Sequence, residues 1–307
     1  MCLCRGQSGE TGKVAFRVWY NNIQGLWSLL PNIPFVALTA TAMKSTREKN
    51  CDTLNMSSPE FIILSPDRSN ISYAVVKMSN QVNVIEYCDW LLQMLETSGV
   101  QCDRTIIYCQ TVNQCSTLYS LFSAILGPKI YMDHSKPNSK EWLLEMMHAR
   151  TPDSVKETIL NSMAQDNGHI RILVCTIAFG MGVDAKGVGN IINFGPSRNL
   201  ESYVQESGRC SRDGKQGNCV ILYFGRMLTM VSKDMRDYVL TQSCRRQDIN
   251  KYFDKPVKLN TQKPLGHYCC DNCAVSCNCV EGGCAYKTIC SVNQLPQESR
   301  APVRVVS

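Results

Sequence analysis

From residue 70 onward, short apolar runs alternate with segments of helical period. The runs ISYAVVKM, RTIIYCQ, RILVCT, NIINFG and CVILYF carry few polar residues. Strands of that kind are buried on both faces, which is the habit of a parallel sheet covered by helices. Helices are expected at roughly 82–97, 112–126, 152–165, 199–209 and 227–240. Thr151 is placed to cap the third of these, with Pro152 at its first position. Val155, Ile159 and Met163 would then share one apolar face. Residues 129–145 show no clear period and read as an irregular insertion.

The first 66 residues follow a different pattern. Phe16, Trp19, Tyr20 and Trp27 give residues 16–30 a helical rhythm, which Pro31 and Pro34 end. FVALTATA predicts a strand, STREKNCDTLNM a helix, FIILS a short strand and SPDRSN a linker. After Thr241 the chain turns to Cys, Gly, Asn and Lys, and beyond Cys290 it reads as a frayed tail.

Composition narrows the class. The 307 residues are 44% hydrophobic and 19% charged, with a formal net charge of +6. That suits a globular core, and a mild positive balance is compatible with nucleic acid without requiring it. The start MCLCRGQSGETGK has no apolar segment of a secretory signal, and runs such as WLLQML are too short to span a bilayer. A protein that is neither secreted nor membrane-borne is expected. Of 18 cysteines, ten are scattered through residues 2–219, and Cys109, Cys175 and Cys219 among them read as reduced, buried small hydrophobes. Eight follow from Cys244, seven of them between residues 269 and 290, a crowding that points to metal binding in a reducing compartment, with a disulfide tail as the lesser alternative.

Two motifs carry candidate chemistry. TIAFGMGVD (176–184) follows a strand and so begins at a strand's carboxyl end, where ligands bind in open α/β sheets. Gly180 and Gly182 allow close backbone approach, Thr176 offers a hydroxyl and Asp184 a carboxylate. YVQESGRCSRDG (203–214) sets Arg209 and Arg212 on a polar turn, and guanidinium forks there suit a phosphoryl group. The cysteine-rich segment adds Cys270-Asp-Asn-Cys273, the two-thiolate turn that tetrahedral zinc uses, with His267 three residues before it and Cys244 upstream.

The order of ALTATA (37–42), TIAFGMGVD, YVQESGRCSRDG and Cys244-Arg245-Arg246 resembles RecQ-type ATP-dependent DNA helicases. The likeness runs from about Phe16 to Cys273. It implies a RecA-like parallel sheet with helices on both faces, plus a remnant of a first RecA-like lobe and a small helical zinc-binding module. The expected divisions are 1–66 for that remnant, 67–240 for the second lobe, 241–290 for the zinc module and 291–307 for a disordered tail. Thr39, Ala40 and Thr41 would couple nucleotide state to lobe movement. Thr176, Thr111, Arg17 and His148 would face DNA, single-stranded or forked. Asp184, Gly182, Gln205, Arg209 and Arg212 would contact ATP with its Mg2+, with Arg209 and Arg212 the catalytic pair and Arg212 the arginine finger. Zn2+ would be held by Cys244, His267, Cys270 and Cys273, with Cys269 as the alternative ligand. Cys277, Cys279, Cys284 and Cys290 are candidates for a second site. The resemblance also implies ATP-driven 3′-to-5′ unwinding and a nuclear, chromosome-associated or otherwise intracellular place. Protein partners are not implied.

Departures from the family are specific. Ser211 stands between the two arginines where the family usually has Gly, and Asn193 stands where a histidine is common. A phosphate loop reads G-x-x-x-x-G-K-[ST]. GQSGETGKV (6–14) has five residues between its glycines and Val14 after Lys13, so it is a decoy. An Asp-Glu-x-His box before ALTATA is also lacking. The sequence therefore reads as beginning just after that box, with no measurable ATPase of its own. The alternative reading is a non-catalytic DNA-binding or zinc-stabilised interaction module.

Overall fold

The computed structural model describes residues 25, 33–34, 36–39, 43–63, 66–79, 83–133, 141–180, 184–253 and 266–275, without the side chains of residues 178, 180 and 267. The helix expected at 16–30, the stretch 6–14, Arg17, Ala40, Thr41, Gly182, Cys277, Cys279, Cys284, Cys290 and the tail lie outside these residues. The chain divides into two compact units, Met1–Asp67 with Ile249–Asn260, and Arg68–Asp248 with Thr261–Ser307.

The first unit contains helix α1 (Lys44–Thr53), where STREKNCDTLNM predicts one. The two strands expected beside it do not form among its described residues. Val36, Leu38, Phe61 and Ile62 are more than half exposed, and no described strand of this unit offers them a ladder. A strand exists only with a partner for its backbone groups.

The second unit is built on one six-stranded sheet in the order β1-β6-β5-β2-β4-β3. The strands are β1 (Ile71–Lys77), β2 (Arg104–Cys109), β3 (Leu144–Met147), β4 (Ile172–Cys175), β5 (Val188–Phe194) and β6 (Gly217–Tyr223), and every pairing is parallel. The parallel sheet read from the apolar runs is thus present. Ile106 of β2 pairs with Leu173 on one side and Ile191 on the other, and all three side chains are fully buried. Burying each such side chain is worth about 1.5–3 kcal/mol, which is why apolar residues fill the middle of these three strands. Cys109, Cys175 and Cys219 are buried here without disulfides.

Helices α2 (Asp89–Ser98), α3 (Val112–Leu126), α4 (Asp153–Ala164), α5 (Leu200–Ser207) and α6 (Lys233–Leu240) cover the sheet. Each buries an apolar stripe, such as Cys115, Leu118, Phe122 and Leu126 of α3. The sequence expectations need correction at four points. β3 forms within the apparent insertion, because Leu144 and Met147 are buried at an edge position although Glu145 breaks the apolar pattern. Pro152, not Thr151, is the residue at the start of α4; the Thr151 hydroxyl instead accepts from the backbone N–H of His148 at 3.0 Å. Ile159 and Met163 are buried, but Val155 at the helix start is 37% exposed. Helices expected from 82 and 227 begin later, each after a 3₁₀ turn, Val84–Tyr87 and Gly225–Met230.

After α6 come α7 (Arg245–Tyr252), α8 (Gly266–Cys269) and α9 (Asp271–Val275). Cys270 makes an isolated parallel bridge with Tyr73, which joins the last two helices to the edge strand β1. No helix among the described residues is long and apolar enough to cross a membrane.

Candidate functional site

Parallel strands that are not neighbours need return connections, and these place the expected site residues at two ends of the sheet. Thr111, His148 and Thr176 directly follow or stand one residue beyond β2, β3 and β4, which are adjacent strands. The backbone N–H of Thr176 reaches the Met147 carbonyl at 3.1 Å, which fixes that carboxyl edge. Thr111 opens α3 with a reciprocal cap: its hydroxyl accepts from Gln114 N–H, and Gln114 Oε1 accepts from Thr111 N–H at 3.0 Å. A helix start of that kind presents N–H groups to an anion. His148 Nδ1 accepts from the Arg150 N–H at 3.1 Å, so the proton of a neutral ring lies on Nε2. The three residues expected to face DNA in this unit therefore share one edge.

The stretch 184–187 lies at the other end of the sheet, leading into β5. Arg104, at the start of β2, holds it there. Its buried guanidinium donates to the carbonyls of Lys186 (2.7 Å), Met163 (3.1 Å), Gln165 (2.7 Å) and Gly168 (2.8 Å). Asp184 precedes this clamp by two residues. The turn after α5 arrives at the same end, where Ser211 N–H bonds to the Val188 carbonyl at 2.7 Å. The two motifs meet there through an ion pair between Arg212 Nη1 and Asp184 Oδ1.

The two arginines have different surroundings. Arg209 is 7% exposed, and its guanidinium lies 5.6 Å from the centre of the Phe179 ring. Arg212 has a side chain 45% exposed and opposite a carboxylate that is 72% exposed. Of the two, Arg212 can be reached by an incoming phosphate. Ser211 between them has φ +46°, in the left-handed region that favours glycine. Gln205 lies half-buried on α5. Next to it, buried Glu206 accepts from Asn193 Nδ2 at 2.7 Å and from the Ser197 hydroxyl at 2.5 Å. Sequence reading noted Asn193 only as a departure; its partner 13 residues on was not visible as such.

The cysteine module gathers the sulfurs of Cys244, Cys269, Cys270 and Cys273 within 4.8 Å of one another. Cys269 thus joins the three cysteines expected, while the imidazole of His267 lies outside the described residues. Tetrahedral zinc–thiolate bonds of ~2.3 Å put sulfurs about 3.8 Å apart, so the donor set fits such an ion with small adjustments. The Cys244 and Cys269 sulfurs are 3.5 Å apart. Hydrogen bonds from Cys269 and Cys270 draw the Cys244 thiol well below the ordinary range, and the Cys244 sulfur pushes Cys269 up to about 12. Thiols so crowded share protons that a divalent cation replaces.

Residues 86–214 match the family model described as the helicase conserved C-terminal domain. The chain is 29% identical to the ATP-dependent DNA helicase RecQ of Pasteurella multocida over 280 residues, 85% of this chain and 39% of that protein. It is 25% identical to the RecQ-like DNA helicase BLM of Xenopus laevis over 282 residues, 84% of this chain and 19% of that protein. Over most of its length the chain is thus similar to RecQ-type DNA helicases, and residues 86–214 carry a helicase conserved C-terminal domain. It spans less than half the length of these curated relatives. Among solved structures, Saccharomyces cerevisiae Dbp5 bound to RNA and ADP BeF3 superposes with a TM-score of 0.53 at 13% identity, over 82% of this chain and 55% of that one. That likeness gives the RecA-like fold of the helicase C-terminal lobe. The thiol cluster and the Arg212–Asp184 pair both belong to the second unit.

Proposed function

We propose that this chain is the second RecA-like lobe and zinc module of a RecQ-type helicase, which unwinds DNA in the 3′-to-5′ direction with ATP. The observation that carries the reading is Arg212. It projects from a left-handed turn into reach of solvent, paired with an exposed carboxylate and with one long bond from Nε to the Gly208 carbonyl, which suits a finger that swings to a γ-phosphate. Asp184 would then release Arg212 and face the nucleotide with Gly182 and Gln205. Arg209, packed on Phe179, would support the turn rather than reach ATP. In a complete two-lobe protein Mg2+ would neutralise the phosphates, and Thr39, Ala40 and Thr41 would report nucleotide state to the lobes.

Residues Cys244, Cys269, Cys270 and Cys273 would hold Zn2+, which supplies folding energy and no reaction step. His267 is the competing fourth ligand. Thr111, His148 and Thr176 would track the backbone of single-stranded or forked DNA, with Arg17 adding charge, and the working place would be chromosomal DNA in the nucleus. Residues 1–66 would belong to the first lobe.

Residues 1–307 contain neither a G-x-x-x-x-G-K-[ST] loop nor an Asp-Glu-x-His box. By themselves they should bind DNA without hydrolysing ATP. The test is fluorescence anisotropy with single-stranded and forked DNA across a salt series, beside a phosphate-release assay. Expected are binding that weakens as salt rises and no DNA-stimulated phosphate release. DNA-stimulated release abolished by Arg212→Ala would overturn the second half, and no binding at low salt the first.

A further inference from the structure

We infer that Arg68 is a positioning residue for the arginine turn, and that Arg246 ties it to the thiol cluster, so that a metal ion there also holds Arg212 in place. This rests on the roles proposed above for Arg212 and for the four cysteines. Arg68 lies in SPDRSN, a stretch that reads as a plain linker. Its guanidinium donates from Nη2 to the Ser211 carbonyl and from Nη1 to the Gly208 carbonyl at 3.3 Å. Asn70 Nδ2 adds a second donor to the Ser211 carbonyl at 2.9 Å and one to the Lys215 carbonyl at 2.7 Å. These bonds span the two arginines. Arg212 itself donates from Nε to the same Gly208 carbonyl at 3.4 Å.

The clamp has a function because Ser211 is not glycine. A left-handed L-residue carries Cβ strain that glycine avoids. An unclamped turn would relax toward ordinary φ and redirect the following side chain, which is Arg212. Two donors fixed on the Ser211 carbonyl oppose that relaxation.

Arg68 is in turn held from the cysteine module. Arg246 is 3% exposed, lies 5.5 Å above the Tyr73 ring, and donates to the Arg68 carbonyl at 2.8 Å and to the Ile71 carbonyl. It stands two residues after Cys244. Its neighbour Arg245 donates from Nε to Asp271 Oδ1 at 2.6 Å, and Asp271 directly follows Cys270. Asp271 Oδ2 accepts from Val75 N–H at 3.0 Å. Both arms of the thiol cluster are therefore bound to one another and to residues 68–75. Bringing Cys244 against Cys269, Cys270 and Cys273 seats Arg246, Arg246 seats the backbone of Arg68, and the Arg68 side chain seats the turn.

Hydrogen exchange on the full chain tests this, read at 208–214, where Ser211 and Gly214 donate to Val188 and Ser211 carbonyls. The probe is the zinc-loaded protein with and without chelator, beside Arg68→Ala, Arg246→Ala and Arg68→Ala/Ser211→Gly. Exchange at 208–214 should quicken about tenfold or more on chelation and in either single variant, the factor that loss of one charge-assisted hydrogen bond implies. Arg68→Ala should leave the cobalt–thiolate absorption of the cobalt-loaded protein unchanged, and adding Ser211→Gly should return the turn toward wild-type exchange. A purely structural Arg68 would not be rescued at that one residue. Unchanged exchange at 208–214 in Arg68→Ala overturns the inference, as does chelation that loosens only 241–253 and 266–275. Absence of a cobalt–thiolate band in the wild type would refute the metal reading alone, and Arg68→Ala would still decide the positioning role.

Discussion

Arg212 and Asp184 are 28 positions apart and ion-paired across the amino end of the sheet. Neither is buried. Their side chains are 45% and 72% exposed, so water competes with the pair at all times. An exposed pair of this kind is easily opened, whereas Arg209 beside it is sequestered against Phe179.

Asp184→Asn should therefore change the unfolding free energy by less than about 1 kcal/mol, the range of exposed ion pairs. Urea denaturation of the variant and the parent protein checks this. A loss several times larger would mean that the pair is part of the fold, and Arg212 could not be spared for a phosphate.

Glu145 gives a pH dependence of known sign. It lies on edge strand β3, and burial pushes its carboxyl up to about 7, against a weaker opposing bond from Met146 N–H at 3.2 Å. With the folded value above the unfolded one, the native state binds the extra proton between roughly pH 4.5 and 7. This contribution to stability is present at pH 4.5 and is lost as pH rises through 7. Glu145→Gln removes the titration. The variant should be more stable than the parent at pH 8, by about 1–2 kcal/mol after allowing for partial exposure, and the gap should close by pH 5. Urea midpoints at the two pH values measure it, and a gap that widens toward pH 5 would contradict the assignment.

The strands were legible in the sequence wherever both faces are buried. Ile106, Leu173 and Ile191 sit in runs without a polar break, and β2, β4 and β5 fell where those runs did. β3 was hidden because Glu145 interrupts four residues at a sheet edge. FVALTATA and FIILS have strand composition, yet their described residues are exposed, since composition does not supply a partner strand. The arginine turn and the cysteine crowding were visible as types and spacings. The clamp on the turn was not, because Arg68 meets Gly208 and Ser211 across 140 and 143 positions. Local pattern carries no record of contacts at that range.

The ligand choice at the cysteine module separates two sequence readings. The four gathered sulfurs include Cys269. Cobalt-loaded Cys269→Ser should lose most of the thiolate absorption or bind cobalt about tenfold more weakly or worse, as loss of a ligand bond implies. His267→Ala should keep both band and affinity. The reverse outcome would install His267 as the fourth ligand.

Ser211 offers the most direct check on the turn. Its φ of +46° is one that glycine adopts without Cβ strain. Its hydroxyl gives little back, with long contacts to the Val188 carbonyl at 3.5 Å and the Cys210 sulfur at 3.7 Å. Relief of a left-handed Ser, worth about 1–2 kcal/mol, exceeds the extra unfolded-state entropy of Gly, about 0.4–1 kcal/mol. Ser211→Gly should thus raise the thermal midpoint by a few degrees. Because the Ser211 carbonyl and N–H are kept, its bonds to Arg68, Asn70 and Val188 should persist, and exchange at 208–214 should not quicken. A lower midpoint would mean that the Ser211 side chain, wedged beside Cys210 and Gly217, is a packing element. In that case the departure from glycine between the two arginines is an adaptation of the turn and not a strain that Arg68 offsets.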